Sequence, residues 1–300
     1  MKFAVMGAGA VGCYFGGLLA RAGYPVTLIA RPEHVRAIEQ DGLRVQTLSF
    51  DERVKLAASA ETSAAAGADV VLLCVKSTAT EEACAALRPH LAPGTLVLTL
   101  QNGVDNAQRA QAALGNEVDV AAAVVYVATE MAGPGHVQHH GRGELLLAPC
   151  SRATELVEAF ARAGARVEVS DNVRGALWAK LVLNCVYNAL SAITGKPYGT
   201  LTAAEGMDQV MQGLMDECLA VAHAEGVRLP AHLAQAVRDI VRTMPTQRSS
   251  TAQDLARGRK TEIDHLNGLV VRRGAALGVP TPLNQAMWAM VKLLESPSGG

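Results

Sequence analysis

Hydrophobic residues form short uninterrupted runs in the first half of the chain and longer helical patterns in the second half. The apolar runs at residues 70–75 and 96–100 are bounded by turn residues, which is typical of strands buried on both faces of a parallel sheet. A strand at residues 2–6, a helix at 11–22 and a strand at 24–30 precede them. Because strands and helices alternate, the first half is predicted to form a doubly wound α/β sheet.

Two longer segments, residues 118–127 and 135–147, have the pattern of antiparallel strands, with Gly133, Pro134 and Gly141 as turn residues. Three histidines lie in this predicted hairpin: His136, His139 and His140. Neither a carboxylate nor a cysteine at metal-ligand spacing accompanies them. We therefore interpret them as residues of a polar hairpin and expect no metal site.

The second half is predicted to be entirely α-helical. Its first helix is predicted at residues 176–193, with a cap at Asp171 or Asn172 and a stop at Gly195. These patterns predict a Rossmann-like domain at 1–170, a helical domain at 171–295 and a disordered tail at 296–300. Five more helices follow the first, at residues 207–225, 231–243, 252–257, 261–277 and 282–294.

A narrow polar stripe runs along the first of these helices. Fourteen of the 18 residues from 176 to 193 are apolar, and the four exceptions are Lys180, Asn184, Asn188 and Ser191. At about 100° per residue, these four side chains fall within an arc of roughly 80°. Buried amines and amides are unfavourable unless something pairs with them, so the stripe predicts a polar cleft that holds a ligand.

Composition and charge exclude several classes of protein. The chain has 300 residues with 27 basic and 28 acidic side chains, whereas nucleic-acid and membrane-surface proteins carry a basic excess. No stretch of 18 uncharged apolar residues predicts a transmembrane helix, and the chain enters a strand directly, without a signal-peptide core. The six cysteines include no C-x-x-C pair, which indicates a reducing cytoplasm and no zinc site.

A glycine-rich turn follows the first predicted strand and opens the first predicted helix. In this context the G-x-G-x-x-G pattern indicates dinucleotide binding, because the glycines allow a tight turn, a close approach of backbone to pyrophosphate, and close helix–strand packing. The alternative is a purely structural glycine turn. The predicted cofactor-binding residues of this turn are Gly7, Ala8, Gly9, Ala10, Val11 and Gly12.

Three polar residues follow predicted strands of the same sheet. Arg31 stands where NAD-dependent enzymes carry an acidic residue, and a guanidinium suits the 2′-phosphate of NADP, although Glu33 lies two residues further on. Lys76 and Asn102 lie just past the carboxyl ends of strands, where such sheets bind ligands. The alternatives are a surface arginine, a solvated lysine and an Asn-Gly turn.

Two residues near the C-terminus have structural and functional interpretations. Ser250 is expected to cap a helix with Gln253 as its partner, and Glu262 to pair with Arg259 or Lys260 at the surface. In one straight helix Ser250 and Glu262 would lie about 18 Å apart. A break at Gly258 would allow both to serve one site.

Taken together, these motifs resemble the ketopantoate reductase family, the NADPH-dependent 2-dehydropantoate 2-reductases. The resemblance covers nearly the whole chain, and its six motifs occur in order: GAGAVG with Arg31, VKST at 75–78, QNGV at 101–104, the lysine–asparagine helix, SSTAQD at 249–254 and TEIDHLNG at 261–268. It implies a Rossmann domain and a helical domain with substrate between them, and reduction of ketopantoate to pantoate in pantothenate and coenzyme A biosynthesis.

The resemblance also implies roles for individual residues. Lys180 would be the general acid, and Glu262 would orient it and contact substrate or cofactor. Lys76 would contact the cofactor, and Asn102 both cofactor and substrate. The remaining expected substrate-binding residues are Asn184, Asn188, Tyr198 and Ser250.

One position departs from the family. Tyr198-Gly199 stands where the family commonly has an Asn-Gly whose asparagine touches the substrate, so a reductase of another 2-keto or 3-hydroxy acid is a second hypothesis. A non-catalytic NADPH-sensing protein is a third. We expect no nucleic-acid or membrane partner, and the sequence is compatible with a homodimer.

Overall fold

The computed structural model describes residues 1–296 of the chain. The chain divides into two compact units, the first spanning Met1–Val173 and the second starting at Arg174. Of the predicted tail at 296–300, only Ser296 falls among the described residues, so the predicted disorder lies outside them.

The first unit is built on one mixed sheet. Within the described residues the strands follow the order β4-β3-β9-β8-β7-β6-β1-β2-β5, with β10 paired to β9. The ten strands are β1 Phe3–Met6, β2 Val26–Ile29, β3 Leu43–Gln46, β4 Asp51–Val54, β5 Ala57–Ser59, β6 Val70–Leu73, β7 Leu96–Thr99, β8 Asp119–Gly133, β9 His136–Leu147 and β10 Val167–Val169.

The central strands are buried on both faces, as the apolar runs predict. In β6 all four residues are buried; Leu72 packs into the core on one face of the sheet and Leu73 into the core on the other. The neighbouring strands β5, β2, β1, β6 and β7 are parallel to one another. Strand β8 pairs with β7 in parallel and, further along, with β9 as an antiparallel hairpin. The predicted α/β sheet is therefore confirmed.

Helices cover this sheet and form the bulk of the second unit. Helix α1 packs against one face through Phe15 and Leu19, and α3 and α4 cover the other face through Leu87 and Leu114. The α-helices of the described chain are α1 Ala10–Arg21, α2 Pro32–Asp41, α3 Thr80–Leu87, α4 Asn106–Leu114, α5 Ala153–Arg162, α6 Val173–Thr194, α7 Tyr198–Thr202, α8 Met207–Ala224, α9 Leu233–Thr243, α10 Ser250–Ala256, α11 Asn267–Leu277 and α12 Pro282–Glu295.

Helix α6, with 22 residues, is the longest helix of the described chain. It ends before Gly195, whose φ of 67° no other residue type adopts as readily, which confirms the predicted stop. It is long and apolar enough to cross a membrane by length and composition, and 61% of that stretch is buried inside the protein. Trp178 and Tyr187 are among its fully buried side chains, so α6 has the burial of a core helix.

The prediction of one helix over residues 261–277 is wrong. A short 3-10 turn occupies Ile263–His265, and α11 begins only at Asn267. Between them Leu266 adopts φ −111° and ψ −107°, which is incompatible with a continuous helix. The apolar periodicity is continuous across this break, and so it did not reveal the interruption.

The hairpin prediction for the histidines is confirmed. His136, His139 and His140 lie on β9, and each ring hydrogen-bonds a protein group: Gln46, the Arg142 carbonyl oxygen and Glu130, respectively. Among the described residues no cluster of three or more His, Cys, Asp or Glu side chains is placed to hold a metal ion.

Candidate functional site

The glycine-rich turn links β1 to the N-terminus of α1. Gly7 has a φ of 99°, a conformation that glycine adopts without strain. The N–H groups of Gly7 and Ala8 donate to the carbonyl oxygen of Ile29 at 3.1 and 3.2 Å. The turn is thus tied to the end of β2, where Arg31 follows.

Gly9 and Gly12 play different parts in this turn. A Cβ atom at Gly12 would lie 2.3 Å from the Gly7 carbonyl oxygen, whereas a Cβ at Gly9 would meet nothing within 4 Å. The first α-helical hydrogen bond runs from Cys13 N–H to Gly9 C=O at 2.8 Å, so the preceding N–H groups have no acceptor within the helix. Packing explains Gly12, while the open space at Gly9 beside free helix N–H groups suits an anion such as pyrophosphate.

Arg31 lies at the start of α2, with 69% of its side chain exposed. Its Nε lies 3.3 Å from Oε1 of Glu33. Glu33, which the sequence marks as a complication for Arg31, therefore forms an ion pair with the same guanidinium.

Lys76 and Asn102 follow β6 and β7, adjacent parallel strands, and so stand at one edge of the sheet. Ser77, next to Lys76, donates its hydroxyl to the Asn102 carbonyl oxygen at 2.7 Å. This bond holds the two loops together. The Asn102 side-chain amide makes no hydrogen bond within the described part of the chain.

A buried polar network beneath these loops was not found from the sequence. Asn106 Nδ2 donates to the Asn102 carbonyl oxygen at 2.6 Å and to Ser77 Oγ at 3.1 Å. Thr80 Oγ1 donates to Asn106 Oδ1 at 3.0 Å and accepts from Gln101 Nε2 at 2.8 Å. The polar residues in VKSTAT and QNGVDN signal such a network only once the two strands are known to be neighbours.

In the second unit, the predicted stripe divides into two parts. Lys180 and Asn184 are half-buried, and the Asn184 side chain makes no hydrogen bond in the described part of the chain. Asn188 and Ser191 are 3% and 0% exposed. The half of the stripe with Lys180 and Asn184 thus keeps part of its surface exposed, whereas the half with Asn188 and Ser191 is buried.

The buried part of the stripe, Asn188 and Ser191, binds the residue that precedes helix α10. Ser191 Oγ accepts from the N–H of Ser249 at 3.2 Å, and Ser249 Oγ donates to the Asn188 carbonyl oxygen at 3.0 Å. Ser191 therefore pairs with protein groups rather than with a ligand, which corrects the uniform interpretation of the stripe.

Ser249, and not Ser250, caps α10. The Ser249 hydroxyl accepts from the N–H of Ala252 at 3.0 Å, so the predicted cap at Ser250 is one residue out of register. Ser250 is the first helical residue and is exposed. The predicted break after α10 is confirmed by Gly258, whose φ is 61°.

Tyr198 begins α7 and is only 6% exposed. Its hydroxyl donates to Asn188 Oδ1 at 3.4 Å, and its ring centroid lies 4.8 Å from that of Tyr187. Burial raises the pKa of the Tyr198 hydroxyl, so it stays protonated, and a hydrogen-bond donor, at neutral pH.

Glu262 lies at the start of the 3-10 turn, half-buried. The residues on either side of it are bound by α12: Thr261 donates to Glu295, and Asp264 accepts from Trp288 Nε1 at 2.7 Å and Lys292 Nζ at 2.9 Å. The turn that carries Glu262 is therefore held by the C-terminal helix.

A second contact joins the Glu262 segment to the Lys180 helix. Asn267, five residues after Glu262, donates through Nδ2 to the Cys185 carbonyl oxygen of α6 at 3.1 Å. The same Nδ2 donates to Asn284 Oδ1 at 2.9 Å. This buried amide fixes α11 against α6 near the middle of the stripe.

Comparison with known proteins gives two matching family profiles that together span most of the chain. The profile described as "Ketopantoate reductase PanE/ApbA" matches residues 3–152. The profile described as "Ketopantoate reductase PanE/ApbA C terminal" matches residues 172–295. The two matches lie one in each compact unit.

Individual relatives agree over their full lengths. The 2-dehydropantoate 2-reductase of Pyrococcus horikoshii is 31% identical over 306 residues, covering 100% of this chain and 99% of the relative. A PanE/ApbA family ketopantoate reductase from Ralstonia eutropha is 64% identical with a TM-score of 0.96, covering 98% of each chain. A D-mandelate dehydrogenase solved with NADH and anilino(oxo)acetate is 26% identical with a TM-score of 0.90, covering 98% of each chain.

Proposed function

The chain belongs to the ketopantoate reductase family, and from this premise we propose that it reduces ketopantoate to pantoate with NADPH. The observation that supports this most strongly is that the chain carries both a dinucleotide-type glycine turn in its first unit and, on one helix of its second unit, a half-buried lysine in line with two asparagines. The family membership makes the protein an oxidoreductase that acts on a CH–OH group. The reaction would serve pantothenate and coenzyme A biosynthesis.

We assign cofactor binding to the first unit. The free N–H groups at the start of α1 and the open space at Gly9 fit a pyrophosphate. Arg31 fits a 2′-phosphate, and Lys76 and Asn102 stand at the sheet edge where such ligands bind. When bound, the cofactor supplies the hydride; the residues of this unit bind and orient it.

Lys180 is the proposed proton donor. As a ketone accepts hydride, negative charge develops on its oxygen, and a cation that donates a proton there stabilises the transition state more than the ground state. Glu262 is proposed to orient Lys180. It stands on a turn that α12 and Asn267 hold rigidly, which suits a residue that must aim another.

The substrate's polar groups are assigned to Asn184, Asn188 and Ser250. Asn184 lies one helical turn from Lys180 and Asn188 lies two, on the same side of α6. Both carry side-chain amides that can donate to oxygen atoms of a keto acid. Tyr198, although predicted to touch substrate, has its hydroxyl committed to Asn188 and is proposed to act through that residue.

A second candidate substrate is a 2-keto acid with an apolar or aromatic side chain. It is favoured by Tyr198 itself, because an aromatic ring beside Asn188 stands where the family commonly has a smaller polar residue with an amide. The similar D-mandelate dehydrogenase was solved with NADH and an oxoacetate ligand, which also makes NADH the cofactor to test against NADPH.

The test is a substrate panel with the purified full-length protein. NADPH oxidation is followed with ketopantoate, 3-methyl-2-oxobutanoate and phenylglyoxylate, and repeated with NADH. We expect the highest kcat/KM with NADPH and ketopantoate. A higher value with phenylglyoxylate would establish the second candidate, and NADPH binding without turnover of any 2-keto acid would identify a sensor.

We place the enzyme in the cytoplasm, where its six free cysteines would stay reduced.

A further inference from the structure

Tyr198 is held in place through its backbone. Its N–H donates to the Gln247 carbonyl oxygen at 3.0 Å, and the N–H of Gly199 donates to the Pro245 carbonyl oxygen at 2.8 Å. A Cβ at Gly199 would lie 2.9 Å from that Pro245 oxygen. The start of α7 is thus docked on the segment that leads into Ser249 and α10, and the direction of the Tyr198 side chain follows from it.

The Tyr198 side chain is also held in place, by contacts of its ring and of its hydroxyl. It lies against the Tyr187 ring, and the Tyr187 hydroxyl donates to the Val237 carbonyl oxygen of α9 at 2.9 Å. The hydroxyl of Tyr198 carries a single hydrogen, which needs an acceptor because the residue is only 6% exposed. Within the described residues that acceptor is Asn188 Oδ1.

This bond sets the orientation of the Asn188 amide. Asn188 Oδ1 accepts from the Tyr198 hydroxyl, and the Asn188 backbone carbonyl oxygen separately accepts from Ser249 Oγ. The Nδ2 group makes no hydrogen bond within the part of the chain that the structure describes, although the residue is 97% buried, being 3% exposed. This N–H₂ group offers two donors to an incoming acceptor.

We propose that Tyr198 is a positioning residue that locks the Asn188 amide with Nδ2 available, so that Asn188 recognises the carboxylate of a 2-keto acid and not a hydrogen-bond donor. The inference rests on the proposed function, since it names which group of that substrate Asn188 binds. A carboxylate offers only acceptors, whereas a hydroxyl or primary amide placed there would set donor against donor in part of its orientations.

The main variant is Tyr198→Phe, which keeps the ring and removes the hydroxyl. Without the lock the Asn188 amide rotates freely, and the carboxylate loses an oriented partner. Such a loss of uniform binding raises KM and leaves kcat nearly unchanged. We expect KM for the 2-keto acid to rise about fivefold to tenfold, the factor given by one net hydrogen bond, with kcat within about twofold.

A substrate pair separates orientation from general damage. A 2-keto acid and its primary amide differ in one group: the amide carries an N–H₂ that a fixed Asn188 Nδ2 cannot satisfy. In Tyr198→Phe the rotated Asn188 can accept from it, so the ratio of kcat/KM for acid over amide should fall about tenfold. A merely structural role for Tyr198 would lower both rates and leave this ratio constant.

Two further variants complete the experiment. Tyr187→Phe is the matched control, because it removes a hydroxyl from the adjoining ring whose partner is α9 and not Asn188; it should leave both KM and the ratio unchanged. Asn188→Asp keeps an acceptor for Tyr198 but replaces Nδ2 by an oxygen, and repulsion of the substrate carboxylate should raise KM at least about a hundredfold.

The outcomes distinguish the two proposals. If the wild-type protein turns over 2-keto acids but Tyr198→Phe keeps the wild-type KM and acid-to-amide ratio, or if Tyr187→Phe changes them equally, the positioning role is overturned while the proposed function stands. If the wild-type protein reduces no 2-keto acid, the proposed function fails and this inference fails with it.

Discussion

Glu295 accepts two hydrogen bonds from Thr261, one from the backbone N–H at 2.7 Å and one from the hydroxyl at 2.5 Å. Thr261 immediately precedes Glu262, so the last turn of α12 holds the residue proposed to orient Lys180. Lys292 adds an ion pair to Glu295 at 3.0 Å and another to Asp264 at 2.9 Å. The C-terminal helix α12 thus binds the residues Thr261 and Asp264, which lie before and after Glu262.

This clamp predicts a loss of stability in acid. Burial raises the pKa of Glu295, but the hydrogen bonds from Thr261 and Lys292 outweigh burial, so the pKa lies below the ordinary glutamate value. Burial likewise raises the pKa of Asp264, and the hydrogen bonds from Lys292 and Trp288 outweigh it and lower that pKa. Groups with a lowered folded-state pKa stabilise the protein above their unfolded pKa, about 4, and this stabilisation is lost as pH falls through the folded pKa. The free energy of unfolding should therefore decline from about pH 5 downward.

The variant Glu295→Gln tests the clamp directly. Removing the charge should cost about 1–3 kcal/mol at pH 7 and less at pH 4, where the wild-type carboxylate is partly protonated. Urea unfolding at the two pH values measures both. Glu205→Gln, at an exposed position, is the control and should change neither; an equal cost for Glu295→Gln at both pH values would contradict the role of its charge.

The glycine turn offers a matched pair of substitutions. Gly12→Ala places a methyl group 2.3 Å from a backbone oxygen and should destabilise the protein by about 3 kcal/mol or more. Gly9→Ala meets no protein atom within 4 Å, so its cost in stability should stay below about 1 kcal/mol. Its methyl group would instead occupy the space assigned to pyrophosphate, and the Kd for NADPH should rise at least about tenfold.

Thermal unfolding and NADPH titration by fluorescence measure this pair. We expect Gly12→Ala to lower the unfolding temperature and Gly9→Ala to raise the Kd of NADPH. A Gly9→Ala protein that binds NADPH as tightly as the wild type would show that the phosphates do not approach the backbone at this turn.

Arg31 and Glu33 should have opposite effects on cofactor choice. Arg31→Ala removes the proposed partner of the 2′-phosphate and should weaken NADPH about tenfold or more, the value of a charge-assisted hydrogen bond, with little change for NADH. Glu33→Gln removes the carboxylate 3.3 Å from the guanidinium and should strengthen NADPH binding.

The cofactor prediction is checked by the Kd values of NADPH and NADH for each variant. Arg36→Ala, at an exposed position five residues on in α2, is the control for loss of a positive charge. Equal weakening of both cofactors by Arg31→Ala would remove Arg31 as the reader of the 2′-phosphate.

The sequence identified the features that depend on local pattern. The buried strands, the glycine turn and the polar stripe on α6 each follow from spacing, and so they were predicted. The cap of α10 was misplaced by one residue because Ser249 and Ser250 are adjacent serines with equal capping propensity; only the bond to Ala252 tells them apart.

Features that depend on contacts distant in sequence were out of reach. The network of Asn106 with Ser77 joins residues 29 positions apart, and the grip of α12 on Thr261 spans 34. The break at Leu266 lies inside an apolar pattern that is continuous on both sides. Tyr198 was recognised as a departure from the family, but its bond to Asn188 required the packing of α7 on the segment before Ser249.

The central claim is that Lys180 donates the proton in a 2-keto acid reduction, and single-turnover kinetics of Lys180→Ala test it most directly. With saturating NADPH and ketopantoate, we expect the rate to fall at least about a hundredfold, the scale of a lost general acid, while the Kd of NADPH is retained. Lys196→Ala, an exposed lysine just past the end of α6, is the control and should react at the wild-type rate. A Lys180→Ala protein that reduces ketopantoate at a near-normal rate would contradict the account.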